Sequence, residues 1–63
     1  MKNRVKEYRE KLGMTQEELA EKSGISRATI SGFENGAIKI TTNTTMDKIS
    51  EALGKKTKTV FFL

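Results

Sequence analysis

Apolar residues recur along this chain at helical spacing, and glycine punctuates them at positions 13, 24, 36 and 54. Val5, Tyr8 or Arg9, and Leu12 fall at i, i+3 or i+4, and i+7, which predicts a first helix from about Asn3 to Leu12, ended by Gly13. A second helix opens at Thr15, carries Leu19 and Ala20, and runs to Lys22 before Gly24 stops it. A third starts behind Ser26, carries Ile30 and Phe33, and runs from Arg27 to about Asn35, with Gly36 just past its end. A fourth, capped by Thr42 or Thr44, places Met46, Ile49, Ala52 and Leu53 on one stripe and closes at Gly54.

Two stretches break this rhythm. In Ala37–Thr44, Ile38 and Ile40 alternate with polar neighbours, so either a brief extended segment forms or one isoleucine plugs the core. In Lys55–Leu63, Thr57 can cap a last short helix. The final VFFL is too apolar for a solvated tail. Val60, Phe61, Phe62 and Leu63 either close the core beneath the first and fourth helices or also cover a partner subunit.

The stretch Thr15–Gly36 organises the rest. Thr15-Gln16-Glu17-Glu18 has the form of a capping box, and Met14 and Leu19 flank it at staple spacing. If the two helices cross at the Gly24 turn, Leu19, Ala20, Ile25, Ile30 and Phe33 converge. Arg27, Ala28, Thr29, Ser31 and Gly32 then lie mostly off the core, with Glu17, Glu18 and Glu21 on an outward solvated face. A helix whose exposed first turn carries short side chains and one arginine suits entry into a DNA major groove.

Composition narrows the field. Sixty-three residues are enough for one domain, 1–63, and a chain this short buries only about 60% of its unfolded surface, so a partner subunit would help it. The net charge of +4 is compatible with a polyanion, and also with solubility alone. There is no Cys and no His, which removes disulfides and the commonest zinc ligands. It also leaves Ser and Thr without their usual base, and no carboxylate pair has a catalytic spacing, so the chain does not read as an enzyme. No cofactor, metal or small-molecule ligand is implied. No apolar run nears the roughly 18 residues of a membrane span, and no signal peptide is visible, so the expected setting is cytoplasmic.

The pattern T-Q-E-E-L-A…S-G-I-S-R-x-T-I-S…E-N-G resembles the Cro and phage-repressor helix-turn-helix family, also called the XRE family, from about Val5 to Phe61. The resemblance implies an all-α, compact, lambda-repressor-like domain of four to five helices with a central helix-turn-helix. It implies an ion pair between Arg9 and Glu34, where the plain alternative is two solvated side chains. It implies phosphate contacts from Gln16, Asn35 and Gly36; Ser26 at the start of the third helix and Lys39 in the loop can reach phosphates too. Base contacts are expected on the first turns of the third helix, from Arg27, Ala28, Thr29 and Ser31, with Arg27 either spanning a guanine or contacting phosphate alone. Gly32 stands where family members commonly carry a long side chain, so one reader is missing. The loop 37–44 lacks the family's usual proline. The expected partner is a double-stranded DNA operator, bound by a homodimer acting as a repressor. The alternative is an interaction module of weak DNA affinity that binds a toxin or an anti-repressor.

Overall fold

The computed structural model describes residues 1–62. Five helices dominate it: α1 (Val5–Lys11), α2 (Gln16–Ser23), α3 (Arg27–Glu34), α4 (Asn43–Ala52) and α5 (Thr57–Val60). Two short strands, β1 (Lys2–Asn3) and β2 (Phe61–Phe62), pair antiparallel, with Lys2 opposite Phe62 and Asn3 opposite Phe61. Among the described residues no helix is long and apolar enough to cross a membrane.

The capping box at Thr15 forms in full. Thr15 Oγ1 accepts from the Glu18 N–H at 3.0 Å, and Glu18 Oε1 accepts from the Thr15 N–H at 2.9 Å. Gly24 ends α2 at φ 73°, a left-handed conformation costly for any residue with a Cβ. Ser23 then stitches the turn: its buried hydroxyl donates to the Leu19 carbonyl at 2.7 Å and accepts from the Ile25 N–H at 3.2 Å. The turn between α2 and α3 is thus fixed from both sides.

One core joins all five helices: Val5, Leu19, Ile30, Phe33, Ile49, Ala52, Leu53, Val60 and Phe61. Phe61 meets Phe33 edge-to-face, with ring centres 5.3 Å apart, so the strand after α5 braces the inner side of α3.

Several expectations need correction, and two open choices, the α4 cap and the loop isoleucine, are resolved. The first helix begins at Val5, not Asn3. Asn3 is in β1, where its Oδ1 accepts from the Val5 N–H at 3.1 Å and its Nδ2 donates to the Phe33 carbonyl at 3.1 Å. Pairing with β2 and the bond from the Arg4 N–H to the Val60 carbonyl at 2.8 Å tie this segment to the end of the chain, so the helix starts two residues later. Leu12 is 53% exposed, since α1 ends at Lys11 and the chain turns away at Gly13. Thr42, not Thr44, caps α4, accepting from the Thr45 N–H at 3.2 Å. Thr57 does not cap α5 but is its first residue, and its hydroxyl donates to Asp47 at 2.6 Å. In the loop, Ile38 packs against the core while Ile40 is 90% exposed.

Candidate nucleic-acid interface

The outer side of α3 is the centre of the site. Ile30, Gly32 and Phe33 are buried, while Ser26, Arg27 and Ala28 are exposed and Thr29 and Ser31 half-buried. Gly32 therefore does not belong to the outward set. A Cβ there would lie 2.6 Å from Ile38 Cδ1, so the glycine admits the loop isoleucine and is not a missing reader. The hydroxyl of Ser26 caps the helix, accepting from the Thr29 N–H at 3.2 Å, and it shares a hydrogen bond of 2.9 Å with Thr29 Oγ1. Those two hydroxyls are partly engaged; the Ala28 methyl is open.

Arg27, the first residue of α3, does not reach freely into solvent. Its Nη1 donates to Glu17 Oε1 at 3.1 Å, across the outer surface of the two helices. Glu17, the second residue of α2, keeps the outward, solvated place expected of it, and from there it meets Arg27. The available sequence signal was opposite charge at the starts of two successive helices.

Beside this lies the N-terminus of α2. The N–H groups of Gln16 and Glu17 have no acceptor within the helix and sit at the positive end of its dipole. Gln16 Nε2 donates to Glu34 Oε1 at 3.1 Å. The same carboxylate is gripped by Arg9: Nε donates to Oε2 at 2.7 Å and Nη2 to Oε1 at 3.0 Å. Arg9 Nη1 also donates to the Met14 carbonyl at 2.6 Å. These side chains are only 11% and 5% exposed. Burial alone would push the Glu34 carboxyl up. The hydrogen bonds from Arg9 and Gln16, with the charges of Arg9 and Lys6, outweigh it and hold the group below its ordinary value. Arg9 is correspondingly raised by its bond to Glu34. One buried pair thus links α1, the start of α2 and the end of α3.

At the far end of α3 the backbone is already occupied. Asn35 N–H donates to the Ser31 carbonyl at 2.9 Å, Gly36 N–H to the Phe33 carbonyl at 3.4 Å, and Ala37 N–H to Asn35 Oδ1 at 2.9 Å. A phosphate here would meet the Asn35 side-chain amide and nearby cations in place of free backbone donors. Those cations are Lys39, exposed in the loop, and Lys2 and Lys6, which line an open cleft with Asn35 and Gly36. Lys2 and Lys6 carry no motif, and in the sequence they stand out only as members of the basic residues gathered at the two ends of the chain.

The tail is divided. Val60 and Phe61 are 0% and 6% exposed and belong to the core, and only the small exposed part of Phe61 reaches a surface groove. Phe62 is half-buried, with Arg4 stacked 4.8 Å from its ring centre, and Leu63 lies outside the described residues. Leu12 aside, the exposed large apolar side chains among the described residues are Met1 and Ile40, and both line a groove with Met46 and Phe62.

A capped two-helix unit with a fixed turn, its second helix open along the first turn and braced from beneath, defines a helix-turn-helix DNA-binding domain. The chain matches the helix-turn-helix family over residues 5–60 and belongs to it, in the XRE-type branch of DNA-binding transcriptional regulators. It is 38% identical over its full length to YgzD, an uncharacterized HTH-type transcriptional regulator of Bacillus subtilis, and covers 94% of that protein. It is 51% identical over 51 residues to the antitoxin HipB of Escherichia coli, covering 81% of this chain and 57% of HipB. Against several archaeal HTH-type regulators the chain spans about half their length. Its fold is similar to that of SinR, a master regulator for biofilm formation, in a crystal structure with DNA. The TM-score is 0.85 at 30% identity, covering 89% of each chain. SinR in its complex with SinI gives a TM-score of 0.84, covering 89% of this chain and 54% of that one.

Proposed function

We propose that this chain is a sequence-specific transcriptional repressor that binds a pseudo-palindromic operator as a homodimer, with α3 in the major groove. The observation that carries this reading is the open first turn of α3, with Arg27 at its start and the buried brace of Phe33 and Phe61 behind it. Arg27 pairs with a guanine through two N–H groups; Ala28 meets a thymine methyl, and Thr29 and Ser31 lie along base edges. Gln16 and Ser26 hold one phosphate run, and Lys39 with the Asn35 side-chain amide, beside Gly36, holds another. These contacts fix register and carry no sequence information directly. Two copies would place their α3 helices about 34 Å apart, in successive major grooves. The groove at Met1, Ile40, Met46 and Phe62 is the surface offered to the second copy.

Selection of bound duplexes from a random DNA pool tests this, with wild type and Arg27→Ala in parallel. Wild type enriches a two-fold symmetric site, and the variant loses one guanine preference in each half. No enrichment at moderate salt overturns the reading.

A second reading is favoured by the same exposed groove and by the relatives. HipB is named an antitoxin and SinR has been solved with SinI. On this reading the groove takes a toxin or anti-repressor, and DNA affinity is weak. The salt dependence separates the two: a steep fall of affinity with salt marks phosphate neutralisation.

A further inference from the structure

The contact between Arg27 and Glu17 is unusual for a DNA-facing surface, since it sets a carboxylate where phosphates approach. Both side chains are exposed, at 61% and 75%, so the pair contributes little to stability. Glu17 is also not needed for the cap of α2, which Thr15 and Glu18 form by themselves. The pair does something else: it orients a guanidinium. Among the described residues Arg27 is engaged through Nη1 alone. The edge formed by Nε and Nη2 stays free, the same edge with which Arg9 grips Glu34 side-on. That edge carries two parallel N–H donors and matches guanine O6 and N7.

We infer that Glu17 is a specificity-determining positioning residue: it holds Arg27 by Nη1 so that the Nε–Nη2 edge addresses a guanine, and its charge discourages Arg27 from settling on phosphate instead. Two physical effects act together. Arginine has many rotamers, and holding one before DNA arrives removes part of the ordering cost of a two-bond contact. A carboxylate beside the guanidinium also weakens any encounter that offers only a phosphate, because a phosphate oxygen and the carboxylate repel. A base edge carries no net charge and suffers no such repulsion. Glu17 therefore lowers non-specific binding while leaving specific binding intact, and the ratio of the two rises.

This inference rests on the reading of Arg27 as a base reader, and the test separates the two. Three duplexes are titrated: the selected site, the same site with the Arg27-dependent guanine pair changed to an adenine pair, and a random-sequence duplex. Wild type, Arg27→Ala, Glu17→Gln and Glu17→Ala are compared over a range of salt. The expected result is a fall in guanine preference of about two- to fivefold in both Glu17 variants, the size of one exposed ion pair. Affinity for the random duplex rises in the same variants, and its salt slope steepens by about one, as Arg27 takes up a phosphate. Two outcomes overturn the inference. If Arg27→Ala abolishes the guanine preference but both Glu17 variants keep it, Glu17 is a repulsive charge or an inert one, and only the positioning role fails. If Arg27→Ala itself changes no base preference, the reading of Arg27 fails and the role of Glu17 fails with it.

Discussion

The Cβ that Gly32 lacks would sit 2.6 Å from Cδ1 and 2.7 Å from Cγ1 of Ile38. A glycine inside a helix ordinarily costs about 1 kcal/mol against alanine. Here that cost allows the loop after α3 to fold down on it, and the Ile38 N–H donates to the Gly32 carbonyl at 3.0 Å. Gly32→Ala therefore destabilises the domain in spite of the gain in helix propensity. Overpacking costs about 1–3 kcal/mol and exceeds that gain, because Cγ1 of a β-branched residue cannot swing clear. In the double variant with Ile38→Ala the conflict disappears, since Ile38 Cβ stands 3.7 Å away. Denaturant melts of the two single variants and the double should show a coupling energy of about 1 kcal/mol or more. Strict additivity would refute the contact.

The Glu34 side chain is 5% exposed in the pair, and removing Arg9 leaves its carboxylate with Gln16 as its remaining side-chain hydrogen-bond partner. Arg9→Ala should lower unfolding stability by about 3–5 kcal/mol, the usual penalty for stranding one member of a buried pair. A double variant replacing both by methionine should recover a large part of it. Chemical denaturation of the three variants measures this, and a loss under about 1 kcal/mol for Arg9→Ala would place the pair in solvent.

The same pair sets the acid limb of stability. Glu34 is held below its ordinary value of 4.5 in the folded chain. Its depressed value means that the unfolded chain binds the proton more readily. The stabilising contribution is complete above about pH 4.5 and is lost as pH falls through the lower, folded-state value. Thermal melts from pH 6 to pH 2 should show this loss, and Glu34→Gln should flatten it. An unchanged acid limb in that variant would assign the sensitivity to other carboxylates.

Ile40 is 90% exposed and makes no contribution to the core, so its replacement should not affect folding. Ile40→Lys should leave the melting temperature unchanged and weaken self-association by at least about tenfold, as expected for an anchor near the middle of an interface. Analytical ultracentrifugation with and without the operator duplex measures both species. A wild-type chain that stays monomeric in both conditions removes the dimer from the proposed function.

Salt adds a further check on the phosphate contacts. Lys6→Ala and Lys39→Ala should each weaken binding to specific and random duplexes alike and reduce the salt slope by about one. A change confined to one sequence would make either lysine a reader.

The helices and their order were legible in the amino-acid sequence, because the signals involved are local. The Thr15–Glu18 capping box, the Ser26 cap and the glycines at positive φ act within a few residues, and the apolar spacing chose which faces turn inward. The sequence also carried the family motif, and with it Arg9 and Glu34 as candidates for each other. What it did not contain was any effect of distant residues meeting. Asn3 reads as the start of a helix until Phe61 arrives to pair with it. Gly32 reads as an outward gap until Ile38 fills the space. Glu17 reads as a solvated charge until the turn between α2 and α3 brings Arg27 within 3.1 Å of it. Val60 and Phe61 left the choice between core and partner open, and their burial, with the Phe61 ring set edge-to-face on Phe33, decided it for the core. In each case the deciding term is a contact between segments, and its strength depends on a distance that local pattern does not encode.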